Sequence, residues 1–187
     1  MAVDGKVESW GLVPGKGTGL DRLIWNRNRI CDVYEKAKPD LIVMEDFSFG
    51  SNMSFVREIA GMAFMIRAEI HRAKIPTLLV SPSSLKKFIV GTAGSSKQKV
   101  GKDLILKEML RRFGHDLTDN NVADAVGLAY IGMAMVEEWA PTIEPQRDVL
   151  KQLRDKNPNL RSIAAANPPV DSQPALEDSW LTEEPSR

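Results

Sequence analysis

Pro39-Asp40-Leu41-Ile42-Val43-Met44-Glu45 decides the reading of this chain. A proline ends whatever precedes it, four apolar residues run without a break, and an acid closes the stretch. A continuous apolar run of this length is the pattern of a parallel strand covered on both faces. Ile75 to Ser81, with Pro76-Thr77-Leu78-Leu79-Val80 in its middle, repeats the pattern. Between them Ser54 to Ala73 carries Phe55, Ile59, Met62, Ala63, Ile66 and Ile70 at helical spacing, while Phe64 and Met65 add apolar surface on other sides. That helix covers a sheet, and either meets a partner subunit or is sandwiched within one domain. Upstream, Leu20 to Ala37 reads as a helix with Leu23, Ile24, Ile30, Val33 and Tyr34 inward, stopped at Lys38-Pro39. Downstream, two helices are predicted over Lys97–Phe113 and Asp119–Trp139, and a short one around Gln146 to Arg154. Strand, helix, strand, helix is an α/β pattern on a largely parallel sheet.

Lys6 to Val13 suggests one more strand, and the dipeptide before it, Asp4-Gly5, favours a two-residue hairpin turn. Only three residues precede that turn, so the chain reads as starting inside a hairpin. The chain has 187 residues, 43% hydrophobic and 27% charged, with 25 basic and 25 acidic side chains. This is ordinary globular composition for one domain and excludes a uniformly basic protein. One cysteine, Cys31, allows no intrachain disulfide and makes a reducing compartment the default. The best apolar run, Val122 to Val136, is interrupted by Asp124, and Lys6 and Glu8 stand where a signal peptide would be apolar. The expectation is a soluble cytoplasmic protein. Its organisation is read as a nuclease-like domain over 1–140, a helical extension over 141–163 and a disordered, acid-rich tail over 164–187.

Glu45 ends an apolar strand, where a carboxylate is costly without a partner. Ligands in open α/β sheets gather at the carboxyl ends of strands; the alternative is a strand-end acid facing water or a lysine. Asp124 lies within Val122-Ala123-Asp124-Ala125-Val126-Gly127-Leu128-Ala129. Val122, Ala125, Leu128 and Ala129 are read as core, so Asp124 is read as partly shielded. Asn121, at i−3, is assigned to the same face. Asp119 is better suited to capping the helix start, with Thr118 as its rival. If Glu45 and Asp124 converge, their ligand is a hard divalent cation, Mg²⁺ or Mn²⁺, since His71 and His115 make no zinc spacing. His115 is read as a solvated loop residue, and Cys31 has no base beside it.

Between Ser81 and Arg112 stand Lys86, Lys87, Lys97, Lys99, Lys102, Lys107, Arg111 and Arg112 against Asp103 and Glu108. This local excess of about six positive charges reads as an anion-binding face. The loop Gly91 to Lys97 runs into a helix start, where backbone N–H groups suit phosphate. Gly94-Ser95-Ser96-Lys97 lacks the P-loop ending, and Gly15-Lys16-Gly17-Thr18-Gly19 lacks the spacing of a dinucleotide fingerprint.

Together, Pro39 to Phe47, Pro82 to Gly91 with Lys97 to Val100, and Asn120-Asn121-Val122-Ala123-Asp124-Ala125 resemble the RuvC-type Holliday junction resolvases, particularly the phage and viral branch, within the ribonuclease H-like nucleases. The resemblance spans roughly residues 5 to 135. It implies a ribonuclease H-like mixed sheet of five strands flanked by helices, a homodimer, two Mg²⁺ ions per site with Mn²⁺ as a substitute, and nicking of four-way DNA junctions in a bacterial or phage-infected cell. It matches Glu45 and Asp124 to catalytic, metal-binding acids, and adds Asn121 to the same catalytic and metal-binding set, at a position where family members carry Asp, His or another polar residue. Lys86 or Lys87, and Lys97, match positions that hold junction phosphates, and Lys99 is counted with them as a DNA-binding candidate; Phe47 or Phe49 would stack on an unpaired base, or else belong to the core. The family's first strand, of Gly-Ile-Asp-Pro-Gly type, has no counterpart here, and Asp4 substitutes poorly for its aspartate. The sequence therefore starts at a wrong methionine, draws the missing strands from another polypeptide, or is degenerate. Lacking a central strand, it is expected to be poorly stable. A catalytically inactive, branched-DNA-binding accessory protein is the alternative reading.

Overall fold

The computed structural model describes residues 2–3, 6–7, 18–46, 53–92, 94 and 101–160. Its centre is a parallel pair, β3 (Ile42–Glu45) and β4 (Thr77–Val80), in register from Ile42↔Thr77 to Glu45↔Val80. Ile42 N–H donates to the Pro76 carbonyl at 2.9 Å and Asp46 N–H to that of Val80 at 2.8 Å, extending the ladder at both ends. The crossover is α2 (Met53–Arg72), as parallel strands require. Successive strand residues face opposite sides. Ile42 and Met44 join a core with Tyr34, Ile66 and Ile70, while Val43, Leu78 and Val80 join a larger one on the other side. The same alternation puts Glu45, opposite Val80, on the side of the larger core.

A second, antiparallel pair joins β1 (Ala2–Val3) to β2 (Lys6–Val7), with Ala2↔Val7 and Val3↔Lys6. This is the register that a two-residue connection at Asp4-Gly5 produces; the turn itself, and the rest of the strand expected to Val13, lie outside the described residues. Among the described residues, then, the strands form two separate two-stranded ladders.

One face of β3–β4 carries α1 (Gly19–Ala37) packed on α2. α1 ends where expected: Lys38 takes a left-handed conformation and its N–H donates to the Tyr34 carbonyl at 2.8 Å, with Pro39 next. Arg27 and Glu69 pair at 2.8 Å between the two helices. Phe64 is 62% exposed, with the Arg67 guanidinium 5.7 Å from its ring.

The other face is covered by α3 (Pro82–Val90), α4 (Lys102–Glu108), α5 (Asn120–Met135) and α6 (Glu144–Lys156). α3 falls where the sequence reading places no helix. Its signals are local and short: the Ser81 hydroxyl accepts from Ser84 N–H at 3.1 Å, Pro82 opens the first turn, and Gly91 closes the last in a left-handed conformation. Leu85, Phe88 and Ile89 face the core at helical spacing. α5 lies close on α3 and β3 because it carries glycine at both contacts: a Cβ at Gly127 would sit 2.7 Å from Ile89 Cδ1, and one at Gly132 3.1 Å from Val43 Cγ2.

Three sequence expectations are corrected here. α5 stops at Met135 rather than Trp139; Glu137 turns the chain at positive φ, and Trp139 stacks instead among Phe88, Phe113 and Tyr130, with neighbouring centroids 4.7–6.0 Å apart. The helix expected over Lys97–Phe113 starts at Lys102 and finishes as a π-helical turn, Met109–Phe113. His115 is half-buried, its Nε2 3.1 Å from the Tyr130 hydroxyl, and is not a solvated loop residue. The helix around Gln146 is confirmed as α6, with Val149, Leu150 and Leu153 buried. The tail, 164–187, lies outside the described residues. No helix among the described residues is long and apolar enough to cross a membrane.

Candidate functional site

The N-terminus of α5 is fixed by Asp119, whose Oδ1 accepts from Asn121 N–H at 2.6 Å and Val122 N–H at 3.3 Å. This satisfies donors left free in the first turn, so Asp119 is the cap, as its position in the sequence implies. The buried residues of α5 are Ala123, Val126, Gly127, Ile131, Met133, Ala134 and Met135. Val122 and Leu128 are half-buried, and Ala125, read as core in the sequence, is exposed. Asp124 stands at the margin of the buried stripe and is itself half-buried.

Burial pushes the Asp124 carboxyl above its ordinary value, and the Lys86 ammonium on α3 partly offsets this. Glu45, exposed at the tip of β3, is also raised: first by partial desolvation, then by the negative charge of Asp124, again with Lys86 opposing. Three elements far apart in sequence thus bring two carboxylates and one ammonium within electrostatic reach of one another. The register explains this. Glu45 shares the side of Val43, and Val43 is the residue against which Gly132 of α5 packs. α3 follows β4 directly, so Lys86 starts near the same strand ends.

Asp124 Oδ1 is buried and has no hydrogen-bond partner among the described residues, and the same holds for Asn120 Oδ1, one turn earlier on the helix. A buried oxygen without a donor costs about 1–3 kcal/mol. Two such oxygens at i and i+4 are an arrangement that a bound cation would relieve. Asn121, the residue singled out in the sequence, is exposed. Among the described residues no group of three or more His, Cys, Asp or Glu side chains is placed to share a metal ion. The donors on hand are the Glu45 and Asp124 carboxylates and an amide oxygen. This all-oxygen set fits a hard divalent cation of the Mg²⁺ type and does not fit zinc.

The basic run divides. Lys87 Nζ pairs with Asp148 Oδ2 of α6 at 3.0 Å. Arg111 donates to Glu108 from Nε at 3.1 Å and from Nη2 at 2.7 Å, and Arg112 Nε donates to the same carboxylate. Desolvation would raise Glu108, which is buried, yet these hydrogen bonds and charges outweigh it and hold its pKa below the ordinary value. Within the basic run, Lys87, Arg111 and Arg112 thus have acidic partners in the chain, while Lys86 lies within electrostatic reach of Glu45 and Asp124. Lys97, Lys99, Phe47, Phe49 and Asp4 lie outside the described residues. Sequence reasoning passed over Asp46, whose Oδ1 accepts from Arg67 Nη2 at 3.0 Å, tying the end of β3 to α2. It also passed over Asn120, whose i−4 spacing from Asp124 was the available signal.

No protein-family model and no curated protein matches the chain. Among solved structures, RuvC of T. thermophilus in complex with a Holliday junction substrate superposes with a TM-score of 0.51 at 15% identity, over 65% of this chain and 73% of that one. A second RuvC structure from Thermus thermophilus gives 0.48 at 13% identity, over 64% and 69%. The chain has the fold of RuvC, a small parallel sheet flanked by helices on both faces.

Proposed function

We propose that the protein is a divalent-metal-dependent endonuclease that nicks four-way DNA junctions. The observation that carries this reading is the convergence of Glu45 and Asp124 beside Lys86, with Asp124 Oδ1 buried and lacking a donor. The likeness in fold to a RuvC in complex with a Holliday junction substrate supports the choice of branched DNA over linear duplex.

Glu45 and Asp124 would hold the cation. When bound, it supplies positive charge to the scissile phosphate and lowers the pKa of an attacking water. The chain's own contributions follow from the site. Glu45 stands exposed at a strand tip, where a phosphodiester reaches it without a gap in the core. Lys86 supplies a positive charge on the same side of the sheet, suited to orienting a phosphate oxygen. Asp46, held by Arg67, fixes the strand end that carries Glu45. Paired nicks across a junction need two such sites, so the active species is a homodimer.

A catalytically inactive, branched-DNA-binding protein is the second reading. It is favoured by the absence, among the described residues, of a cluster of three acidic or imidazole ligands. One assay separates the two: Mg²⁺-dependent cleavage of a labelled four-way junction beside linear duplex of the same sequence, with Glu45→Gln as control. Paired nicks in the junction alone, lost in Glu45→Gln while junction binding stays within a few-fold, support the nuclease; most affinity comes from positive charge, which the substitution leaves in place. Binding without nicking supports the inactive protein. A folded chain that neither binds nor cuts refutes both.

A further inference from the structure

We propose that Asn120, and not Asn121, supplies a third protein oxygen to the metal site of Glu45 and Asp124. The assignment rests on reading that pair as a metal centre. Asn120 and Asn121 stand at i−4 and i−3 from Asp124, and both spacings bring a side chain to the same helix face. The sequence therefore does not separate them; burial does. Asn121 is exposed, and its backbone N–H is the one bound by the Asp119 cap. Asn120 is half-buried, and its Oδ1 is shut off from solvent without a hydrogen-bond donor. Asp124 Oδ1 is in the same condition one turn further along.

Buried polar oxygens are nearly always satisfied in folded proteins, so two orphans at i and i+4 of one helix call for a partner, and the spacing lets one partner serve both. The two oxygens have no proton to offer each other, and a hydrogen bond from the Asn120 amide nitrogen to Asp124 is the competing arrangement that the Asn120→Asp variant tests. A cation satisfies both at once. Asn120 also fills a shortage in the donor set, because no third acid or imidazole joins Glu45 and Asp124 among the described residues. An amide oxygen is a normal ligand for hard divalent cations and adds no charge to a site where two carboxylates already repel. The position is held firmly: Asn120 is the first residue of α5, directly after the cap that anchors the helix start.

The test is Mn²⁺ binding to the full chain without DNA, read as the loss of the free-ion electron paramagnetic resonance signal, with circular dichroism to show that each variant is folded. Asn120→Ala is expected to weaken binding by about tenfold, the scale on which metal affinity responds to its supporting residues. Asn120→Asp is expected to tighten it, since a charged oxygen replaces a neutral one at the same place. Asn121→Ala should leave affinity within twofold. Loss of binding in Glu45→Gln and Asp124→Asn with no response to Asn120→Ala overturns the Asn120 assignment and leaves the metal centre standing. Equal weakening by Asn120→Ala and Asn120→Asp also overturns it, assigning Asn120 a hydrogen-bonding role toward Asp124. Absence of Mn²⁺ binding, or binding indifferent to Glu45 and Asp124, overturns the assignment and the metal centre together.

Discussion

Glu45, the last residue of β3, lies within electrostatic reach of Asp124 in the second turn of α5, and the negative charge of Asp124 helps lift the Glu45 carboxyl above its ordinary value. Partial desolvation acts in the same direction on both residues, and only Lys86 opposes it. A fold that brings like charges together in a half-dry place holds them less easily than it would hold amides. This follows from the packing of α5 on β3, which brings the two acids to the same side of the sheet.

A pH dependence results. Each of the two carboxyls has a folded-state pKa above its unfolded one, so the stability linked to it is full below the ordinary carboxylate range and is lost as pH rises through the raised value. At pH 7.5 the metal-free chain therefore carries a penalty that Asp124→Asn removes. The variant should melt above the parent at pH 7.5, with the difference shrinking toward pH 4 as Asp124 takes up its proton. Thermal melts at the two pH values check this; a variant less stable than the parent at pH 7.5 would contradict it.

Metal affinity should follow the same protons. Ligating carboxylates must be ionised, so Mn²⁺ binding is expected to fall with decreasing pH, beginning at a higher pH than ordinary Asp and Glu would give. A titration flat down to the usual carboxylate range would separate the cation from Glu45 and Asp124.

Lys86 and Lys87 are adjacent in sequence but differ in surroundings. Lys87 is paired with Asp148 at 3.0 Å, whereas Lys86 lies within electrostatic reach of the two carboxylates of the site. Lys86→Ala is expected to weaken junction binding roughly three- to fivefold and to reduce the slope of log affinity against log salt by about one, the loss of one phosphate contact. Lys87→Ala should change both less and should cost about 0.2–1 kcal/mol of stability through its ion pair. Binding isotherms at three salt concentrations distinguish the two lysines.

Gly127→Ala tests how closely α5 must lie on α3. Alanine gains about 1 kcal/mol of helix propensity over glycine. Its methyl, however, would meet Ile89 Cδ1 at 2.7 Å, with Ile89 Cγ1 and Leu85 Cδ1 at 3.0 Å. Ile89 is 0% and Leu85 1% exposed, so neither has space to withdraw. Overpacking at about 1–3 kcal/mol should prevail, lowering Tm by several degrees. Because α3 also carries Lys86, the variant should bind junctions more weakly as well. An unchanged or raised Tm would mean that the two helices yield.

By itself the sequence determined what is periodic and local. Ile42 to Glu45 and Thr77 to Val80 are strands because apolar side chains fill both faces, and α1, α2 and α6 follow from helical spacing and their proline boundaries. An acid at the end of one apolar strand and another inside an apolar helix made Glu45 and Asp124 candidates before any contact was known. What the tertiary structure alone decided is which neighbours cover which side. α3 has only nine residues, and its Lys86-Lys87 pair reads as charge rather than helix until Leu85, Phe88 and Ile89 meet α5. Arg111 and Arg112 belong to the basic run in the sequence, and the structure adds that both meet Glu108 of the same helical segment. Asn120 and Asn121 differ by a single step along the helix, and only the packing around the start of α5 buries the oxygen of one and exposes the other. Periodicity assigns a residue to a face, but burial depends on what another part of the chain lays over that face.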